Sequence, residues 1–369
     1  MSSIHYSSRP YQAGDEDAIN DLYFRVAGRV RTREQWAWQW QQAPAGPGDI
    51  WLIEATHPGG RVELIGHHGI MPVRFTWGEK DLLFGKTENT MVLPEYRPKI
   101  LYPRFERRFA KEYEPRYHAL FSTTGPAAAI RQRKAMGYES KQRWLYLEQA
   151  YEPWGSLARL SQHPQLSILR NVVKLTCRPS TRCALPAGVS LLTAEEARRE
   201  PFLKDYWHRS RGNWGVAPSR APADLTWRYW ENPYASHYAV IAKHPDMGKC
   251  AFVIIEHPAP GVANIVDLSA ERPDPDLLRY ALSYAISAIR AKLGVRLITF
   301  RITDDTVSKN CNVDYGKMFK PSLVSKLRRP IEQGGGAFMP RKITQNGIQE
   351  GLLSSTHWNI TSVVSEGRR

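Results

Sequence analysis

The sequence predicts a mixed α/β protein made of two units with a similar order of elements. The chain has 369 residues, which is long for one domain and usual for two. Hydrophobic residues make up 42% of it and charged residues 24%, the composition of a globular protein with a sizeable core. Alternating apolar patterns of strands and helical apolar patterns follow one another in both halves, as in mixed α/β folds.

The first half predicts the order strand, two helices, three strands, helix, strand, helix, strand. Thr32 and Gln35 have the spacing of a capping box, which predicts the start of the second helix. That helix carries Trp36, Trp38 and Trp40, which can line a pocket or pack in the core. The strands are predicted at 4–11, 50–54, 62–77, 81–93, 118–122 and 141–147, with later helices after Pro98 and at 125–136.

The second half repeats this order without repeating the residues. A Trp-rich stretch at 225–233 resembles the one at 36–40, and it again precedes predicted strands. The predicted elements are a strand at 189–193, a helix at 194–209, strands at 238–242, 250–255 and 263–268, a helix at 274–293 and a strand at 295–302. The expected division is 1–150 and 188–332 for the two domains, 151–187 for a Pro-containing connector and 333–369 for a tail.

The stretch from Lys86 to Arg108 predicts a strand, a basic turn and the start of an amphipathic helix. A strand that leads into a helix N-terminus is a natural anion site, because the first backbone N–H groups of the helix lack intrahelical partners. The alternative is an ordinary connection with a solvated basic face. The net charge of +15 favours anionic partners such as a phosphorylated cofactor, a carrier protein, nucleic acid or an acidic membrane surface. It does not distinguish among these partners.

The four cysteines, Cys177, Cys183, Cys250 and Cys311, form no C-x-x-C pair and no zinc pattern, so we expect reduced thiols and no metal site. The N-terminus has no apolar signal core, and no run of apolar residues is long enough for a transmembrane segment. The expected location is therefore cytoplasmic.

The element order and three phrases, IGHHGIMPVRF, TENTMVLPEYR and STTGPAAAIRQRKAMGYE, resemble the GNAT superfamily of acyl-CoA-dependent N-acyltransferases over residues 3–148. Tandem-domain members from bacterial sugar and cell-surface biosynthesis are the most similar. The resemblance implies two GNAT-like domains, each a mostly antiparallel central sheet flanked by helices. It also implies a donor, which is acetyl-CoA or another acyl-CoA.

The family binds the donor's pyrophosphate with the motif R-x-x-G-x-G/A, which falls on residues 97–102 here. Ile100 and Tyr102 occupy the two glycine positions, and Pro98 removes one N–H donor. The resemblance implies donor binding by eight residues of the strand end, the turn and the helix start: Met91, Val92, Leu93, Arg97, Lys99, Ile100, Leu101 and Tyr102. The second half has acidic residues in the equivalent turn, so we expect no CoA binding by that loop.

The family's catalytic base is usually a carboxylate or a histidine on the central strands, which implies Glu88, with His68 as a second candidate. A structural ion pair is the alternative role for Glu88, and a structural role is the alternative for His68. The position of the family's tyrosine acid holds Arg133. Four residues are candidates for substrate binding, namely Trp36, Asn89, Trp227 and Tyr229.

The implied reaction transfers an acyl group from CoA or an acyl carrier protein to a small-molecule amine, with amino sugars and cell-surface precursors as the favoured acceptors. Two alternatives stay open. Fem-type transferases use aminoacyl-tRNA on paired GNAT-like domains, and the charge of +15 suits tRNA. The altered glycine motif also fits a catalytically degenerate GNAT-like protein that binds an anionic ligand or a protein.

Overall fold

The structure is a computed structural model of the 369-residue chain. It describes residues 4–99, 101–123, 127–140, 142–151, 153–177, 185, 187–248, 250–303, 320–321, 337–343, 352 and 360.

Helices flank strands throughout this part of the chain. The strands are β1 (His5–Pro10), β2 (Asp49–Thr56), β3 (Val62–Trp77), β4 (Lys80–Val92), β5 (Ala119–Ser122), β6 (Gln142–Ala150), β7 (Val189–Thr193), β8 (Val216–Pro218), β9 (Ser236–Lys243), β10 (Cys250–Ala259), β11 (Val262–Ala270), β12 (Leu297–Thr303), β13 (Lys320–Pro321) and β14 (Ala337–Lys342). The helices are α1 (Glu16–Ala27), α2 (Arg33–Trp40), α3 (Leu101–Tyr113), α4 (Ala127–Ala135), α5 (Trp154–Leu160), α6 (Leu169–Thr176), α7 (Ala194–Arg199), α8 (Pro201–Ser210), α9 (Pro222–Leu225) and α10 (Pro275–Leu293).

The strands form two mostly antiparallel sheets of matching topology. In the first, β1 to β4 pair antiparallel in order, and β5 pairs parallel to β4. In the second, β7, β9, β10 and β11 pair antiparallel, and β12 pairs parallel to β11. Mixed α/β with two mostly antiparallel sheets flanked by helices is the predicted fold class, which is confirmed.

The two sheets join edge to edge through strands that change partners. Strand β6 follows the first half in sequence and pairs with β12 of the second sheet, from Trp144 to Ala150. Strand β14 lies in the segment expected as a tail, and it pairs with both β5 and β6. Strand β8 pairs with β3 at Phe75–Trp77. The division at residues 150, 187 and 332 stays a prediction.

Local signals account for some element ends. The predicted capping box is confirmed, because the Thr32 side chain accepts from the Gln35 N–H and the Gln35 side chain accepts from the Thr32 N–H. The single helix predicted at 194–209 is wrong, because Pro201 begins a second helix. A residue before proline avoids the helical region, and Glu200 accordingly has ψ 116°.

One continuous hydrophobic core extends through both halves and includes Trp38 and Phe75 of the first and Trp227 and Phe252 of the second. Cys177 and Cys250 are free thiols. No helix in the described part of the chain combines the length and apolar character needed to cross a membrane.

Candidate functional site

The pairing of β3 with β4 contains a β-bulge. His67 pairs with Met91, whereas Gly69 pairs with Glu88, so β4 holds one extra residue in between. Asn89 lies in this bulge with φ 48°, the one non-glycine residue with a positive φ in the described ranges. Asparagine tolerates this left-handed conformation better than most residues. The bulge therefore re-aims the side chains of the segment 88–91.

The bulge lies just beyond the point where β4 and β5 part. The parallel pairing of these strands ends at Lys86 and Phe121, while β4 continues to Val92. The Thr87 hydroxyl still reaches the Phe121 carbonyl oxygen, at 3.3 Å. Beyond it, β4 extends past its paired neighbour, and among the described residues no strand pairs with this side of β4, which we call the gap.

The two histidines of β3 face opposite sides of the sheet, as strand alternation requires. The His67 ring contacts the Trp40 ring of α2 edge-on, at 5.5 Å between centroids, and its Nδ1 bonds the Asn89 carbonyl oxygen at 2.8 Å. The His68 ring stacks on Phe109 of α3 at 5.6 Å. The site therefore has an α2 face, on which His67 and Trp40 lie, and an α3 face, on which His68 and Phe109 lie.

His68 is a neutral imidazole at neutral pH. It is 3% exposed, and burial lowers the pKa of its ring well below the ordinary value, with the nearby charges of Arg133 and then His67 lowering it further. A base of low pKa accepts a proton weakly, so burial makes His68 an unfavourable base.

Glu88 lies on the α2 face. It pairs across the ladder with Gly69, whose added Cβ would lie 2.0 Å from the Trp40 ring. The Glu88 carboxylate forms an ion pair with Lys86 at 2.8 Å, and the Lys86 side chain is only 3% exposed. The predicted ion pair thus exists, and it keeps a carboxylate beside the bulge.

Three polar residues that the sequence did not nominate together occupy the other side of the bulge. Arg133 of α4 forms a buried ion pair with Glu106 of α3, and it also donates to the Thr90 hydroxyl at 2.9 Å. The position that the GNAT resemblance assigns to an acid therefore holds a guanidinium bound to β4 and α3. In the sequence, the GNAT resemblance draws attention to Arg133. Nothing in the sequence links Arg133 to Glu106, which lies 27 residues away.

The turn after β4 is a short 3₁₀ helix, Pro94–Lys99, with Arg97, Pro98 and Lys99 exposed. The Arg97 Nε donates to the Val92 carbonyl oxygen at 3.0 Å. Four of the predicted donor-binding residues pack near the turn, with Met91 and Leu93 buried in one apolar cluster and Val92 and Leu101 against it. Ile100 and the side chain of Tyr102 lie outside the described residues.

Three of the four predicted substrate residues are buried, and the fourth, Asn89, lies at the bulge. Trp36 is buried against Tyr11, at 5.4 Å between ring centroids, and Tyr229 is buried beside His237. Trp227 stacks on Trp38 at 5.0 Å, which joins the halves. Asn89 is the one that lies at the bulge, where its amide donates to the Gln39 side-chain oxygen of α2 at 3.5 Å.

The second half has a bulge of its own, and a buried ion pair lies beside it. Ile254 pairs with Asp267 and Ile255 with Ile265, so β11 holds one extra residue. Just past it, Asp267 receives two hydrogen bonds from Arg220 at 2.8 and 2.9 Å, and both side chains are fully buried. By element order this place corresponds to the β4 bulge, and here an internal ion pair occupies it. Within the described residues, no group of three His, Cys, Asp or Glu side chains has the geometry to hold a metal ion.

The sequence matches no protein-family model and no curated protein. Solved structures resemble the fold over most of the chain. A probable N-acyltransferase of unknown function from Enterococcus faecalis has a TM-score of 0.57 at 12% identity, covering 92% of this chain and 73% of its own. A GCN5-related N-acetyltransferase from Anabaena variabilis has a TM-score of 0.54 at 11% identity, with coverages of 92% and 73%.

Saccharomyces cerevisiae N-myristoyltransferase, solved with bound myristoyl-CoA, has a TM-score of 0.52 at 12% identity, covering 92% of this chain and 78% of its own. These neighbours are acyltransferases of the GNAT fold, and identities this low establish the fold alone. The chain therefore has the GNAT fold, present in both of its halves.

Proposed function

We propose that the chain is an N-acyltransferase that moves an acyl group from acyl-CoA to an amine at the β4 bulge of its first half. The observation that carries the proposal is the bulge at Asn89, placed where β4 leaves β5. Such a separation gives an extended thioester access to unpaired strand backbone. The likeness to acyltransferase folds, one of them solved with myristoyl-CoA, supports a CoA thioester as the donor.

Backbone direction identifies the group that would polarise the thioester carbonyl. The Leu93 N–H donates to the Ile65 carbonyl at 2.9 Å, so Leu93 and, by alternation, Met91 point their N–H groups toward β3. Val92 lies between them, so its N–H and carbonyl point the other way, into the gap. Of the three predicted strand-end residues, Val92 is therefore the oxyanion donor.

Arg97 and Lys99 would bind the phosphates of CoA. Arg97 is held at the gap by its contact with the Val92 carbonyl, and both side chains are exposed. Backbone binding is weakened, because Pro98 precedes α3 and Pro103 removes a further N–H from its first turn. Side-chain cations therefore take over part of the role that glycine-loop N–H groups have elsewhere in the fold.

Glu88 would take the proton of the attacking amine. The amine approaches from the α2 face, where the Glu88 carboxylate and the Asn89 amide both lie. Its nitrogen attacks the thioester carbon, the C–S bond breaks and the amide product forms. CoA leaves as the thiolate, which takes up a proton from water as Glu88 gives its own proton back to water. The ion pair with Lys86 orients the carboxylate without removing its lone pairs. Amino sugars and other cell-surface precursors are the favoured acceptors, by analogy with the family.

The test is release of free CoA thiol from acetyl-CoA and longer acyl-CoAs, in the presence of a panel of small amines. We expect thiol release that requires an amine, with the matching amide identified by mass spectrometry. Release at the same rate without amine would overturn the transferase assignment. Amide formation only with acyl carrier protein, or only with aminoacyl-tRNA in a salt-sensitive manner, would keep the fold and replace the donor.

A further inference from the structure

A hairpin of two short helices, α5 and α6, carries most of the exposed large apolar side chains in the described part of the chain. Six of the ten large apolar side chains exposed in the described part of the chain belong to residues 154–175. They are Trp154, Leu160, Leu166, Ile168, Val172 and Leu175. Ile168 is 75% exposed and Leu175 63%. Single exposed apolar residues are common, but a cluster of this kind marks a docking surface.

The hairpin is anchored, so its outer face is fixed. Val173 and Cys177 are buried in a cluster with Val262 and Leu297 of the second sheet. The anchor is tight, since a Cβ added to Gly261 would lie 2.7 Å from Val173. Exposed Ile168, Val172 and Leu175 follow the spacing i, i+4, i+7, which places them on one side of α6 and apart from the buried stripe.

The charged residues within the hairpin segment and the sequence that follows it have one sign. Residues 153–194 contain no Asp or Glu, and they contain Arg159, Arg170, Lys174, Arg178 and Arg182. Arg170 and Lys174 are exposed on the same helix as the apolar stripe. Exposed apolar residues flanked by cations, with no acids among them, are the composition of a helix that lies in a lipid–water interface.

We propose that the α5–α6 hairpin docks this protein on a membrane surface that carries anionic lipids. The apolar side chains enter the boundary between headgroups and acyl chains, and Arg170 and Lys174 contact the anionic headgroups. A lipid surface fits this hairpin, because its apolar side chains are exposed and cations lie on the same helix. The alternative is that a second copy of the chain covers this face, and the test must distinguish self-association from membrane binding.

The test is co-sedimentation of the full-length protein with vesicles of phosphatidylglycerol and phosphatidylcholine, compared with vesicles of phosphatidylcholine alone. We expect binding to the anionic vesicles. The double variant Ile168→Ser/Leu175→Ser keeps the net charge and should lower the vesicle affinity about tenfold or more, because it removes two membrane-entering side chains. Arg170→Gln/Lys174→Gln should weaken binding and reduce its salt dependence.

The matched control is Phe24→Ser/Val30→Ser, since these side chains are 51% and 80% exposed and lie outside the hairpin. It should bind vesicles like the wild type. Equal binding by Ile168→Ser/Leu175→Ser and the wild type would overturn the proposal, since charge alone would then explain the attraction. The proposal would also be overturned if the wild type did not bind vesicles but self-associated in sedimentation velocity, and if Ile168→Ser/Leu175→Ser abolished that self-association.

Discussion

Trp38 of α2 and Trp227 of the second half each donate an indole N–H to the backbone carbonyl of the other, at 2.7 and 2.9 Å. Their rings stack at an interplanar angle of 20°, and both residues are buried. The two Trp-rich stretches that resemble one another in sequence thus meet in space as a reciprocal pair. This contact holds α2, and with it the α2 face of the candidate site, against the second half.

Replacing either tryptophan of this pair should destabilise the whole chain. Trp38→Phe and Trp227→Phe each keep an aromatic ring but leave a buried carbonyl without its donor, which costs about 1–3 kcal/mol. The double variant should lose less than the sum of the two, because each residue stacks on the other. Equilibrium denaturant unfolding measures both quantities.

Trp36→Phe is the control, since the buried Trp36 indole nitrogen has no hydrogen-bond partner among the described residues. It should cost less than either member of the pair. Equal losses for all three variants would mean that ring volume, and not the reciprocal bonding, determines the effect.

The backbone conformation of Asn89 should matter more than its side chain. Asn89→Gly keeps the left-handed conformation available, so stability and acyl-CoA binding should stay close to the wild type. Asn89→Val places a β-branched residue at φ 48° and should cost about 1–2 kcal/mol and weaken acyl-CoA binding. Thermal unfolding and a binding titration test this together. A valine variant that behaves like the glycine variant would show that the bulge does not shape the site.

Glu88→Gln should slow acyl transfer by about a hundredfold or more while acyl-CoA binding stays unchanged, because the amide cannot take a proton. Its side-chain oxygen still accepts from Lys86, so the buried ammonium keeps a partner. The control is Glu54→Gln, which alters another half-buried carboxylate, paired with Arg9 at 2.8 Å. Steady-state kinetics with an amine that yields the amide product measure the rates of the two variants and the wild type. Wild-type rates for Glu88→Gln would remove this residue from the mechanism.

His68 should make the protein less stable in mild acid. Its pKa in the folded state is depressed below the ordinary value of 6.5, so the unfolded chain binds the proton more readily. The stability gained from the neutral ring is present above pH 6.5 and is lost as the pH falls toward the folded-state pKa. In His68→Phe the free energy of unfolding should fall less steeply over that range, as measured by denaturant unfolding at several pH values. Parallel curves for the two proteins would contradict this.

Local signals in the sequence predicted most of the elements. Strand β3 has the bounds expected from its alternating residues, and the Thr32 capping box forms as its spacing requires. The break at Pro201 was also visible in the sequence, and the prediction of one helix gave the apolar pattern too much weight. These features depend on neighbours along the chain, which is why they can be read from it.

Features that depend on distant partners were not predicted. Strand β14 completes the sheet beside β5, although more than two hundred residues separate them in sequence. The bulge at Asn89 depends on a one-residue offset against β3, which leaves no mark in the apolar alternation. The Arg133–Glu106 pair joins two helices. The predicted site residues Glu88, Asn89, Val92 and Arg97 gather near one bulge, whereas the roles assigned to them stay predictions.

Calorimetric titration with acetyl-CoA and a longer acyl-CoA tests whether the turn after β4 binds the donor, using the wild type, Arg97→Ala and the control Arg199→Ala. Arg199 is another exposed arginine, with 77% of its side chain accessible, and it lies on α7 in the second half. We expect saturable binding to the wild type and to Arg199→Ala, with an affinity about tenfold lower for Arg97→Ala, since one phosphate contact is lost. No saturable binding of either thioester to the wild type, or equal affinities for all three proteins, would contradict the proposed donor site.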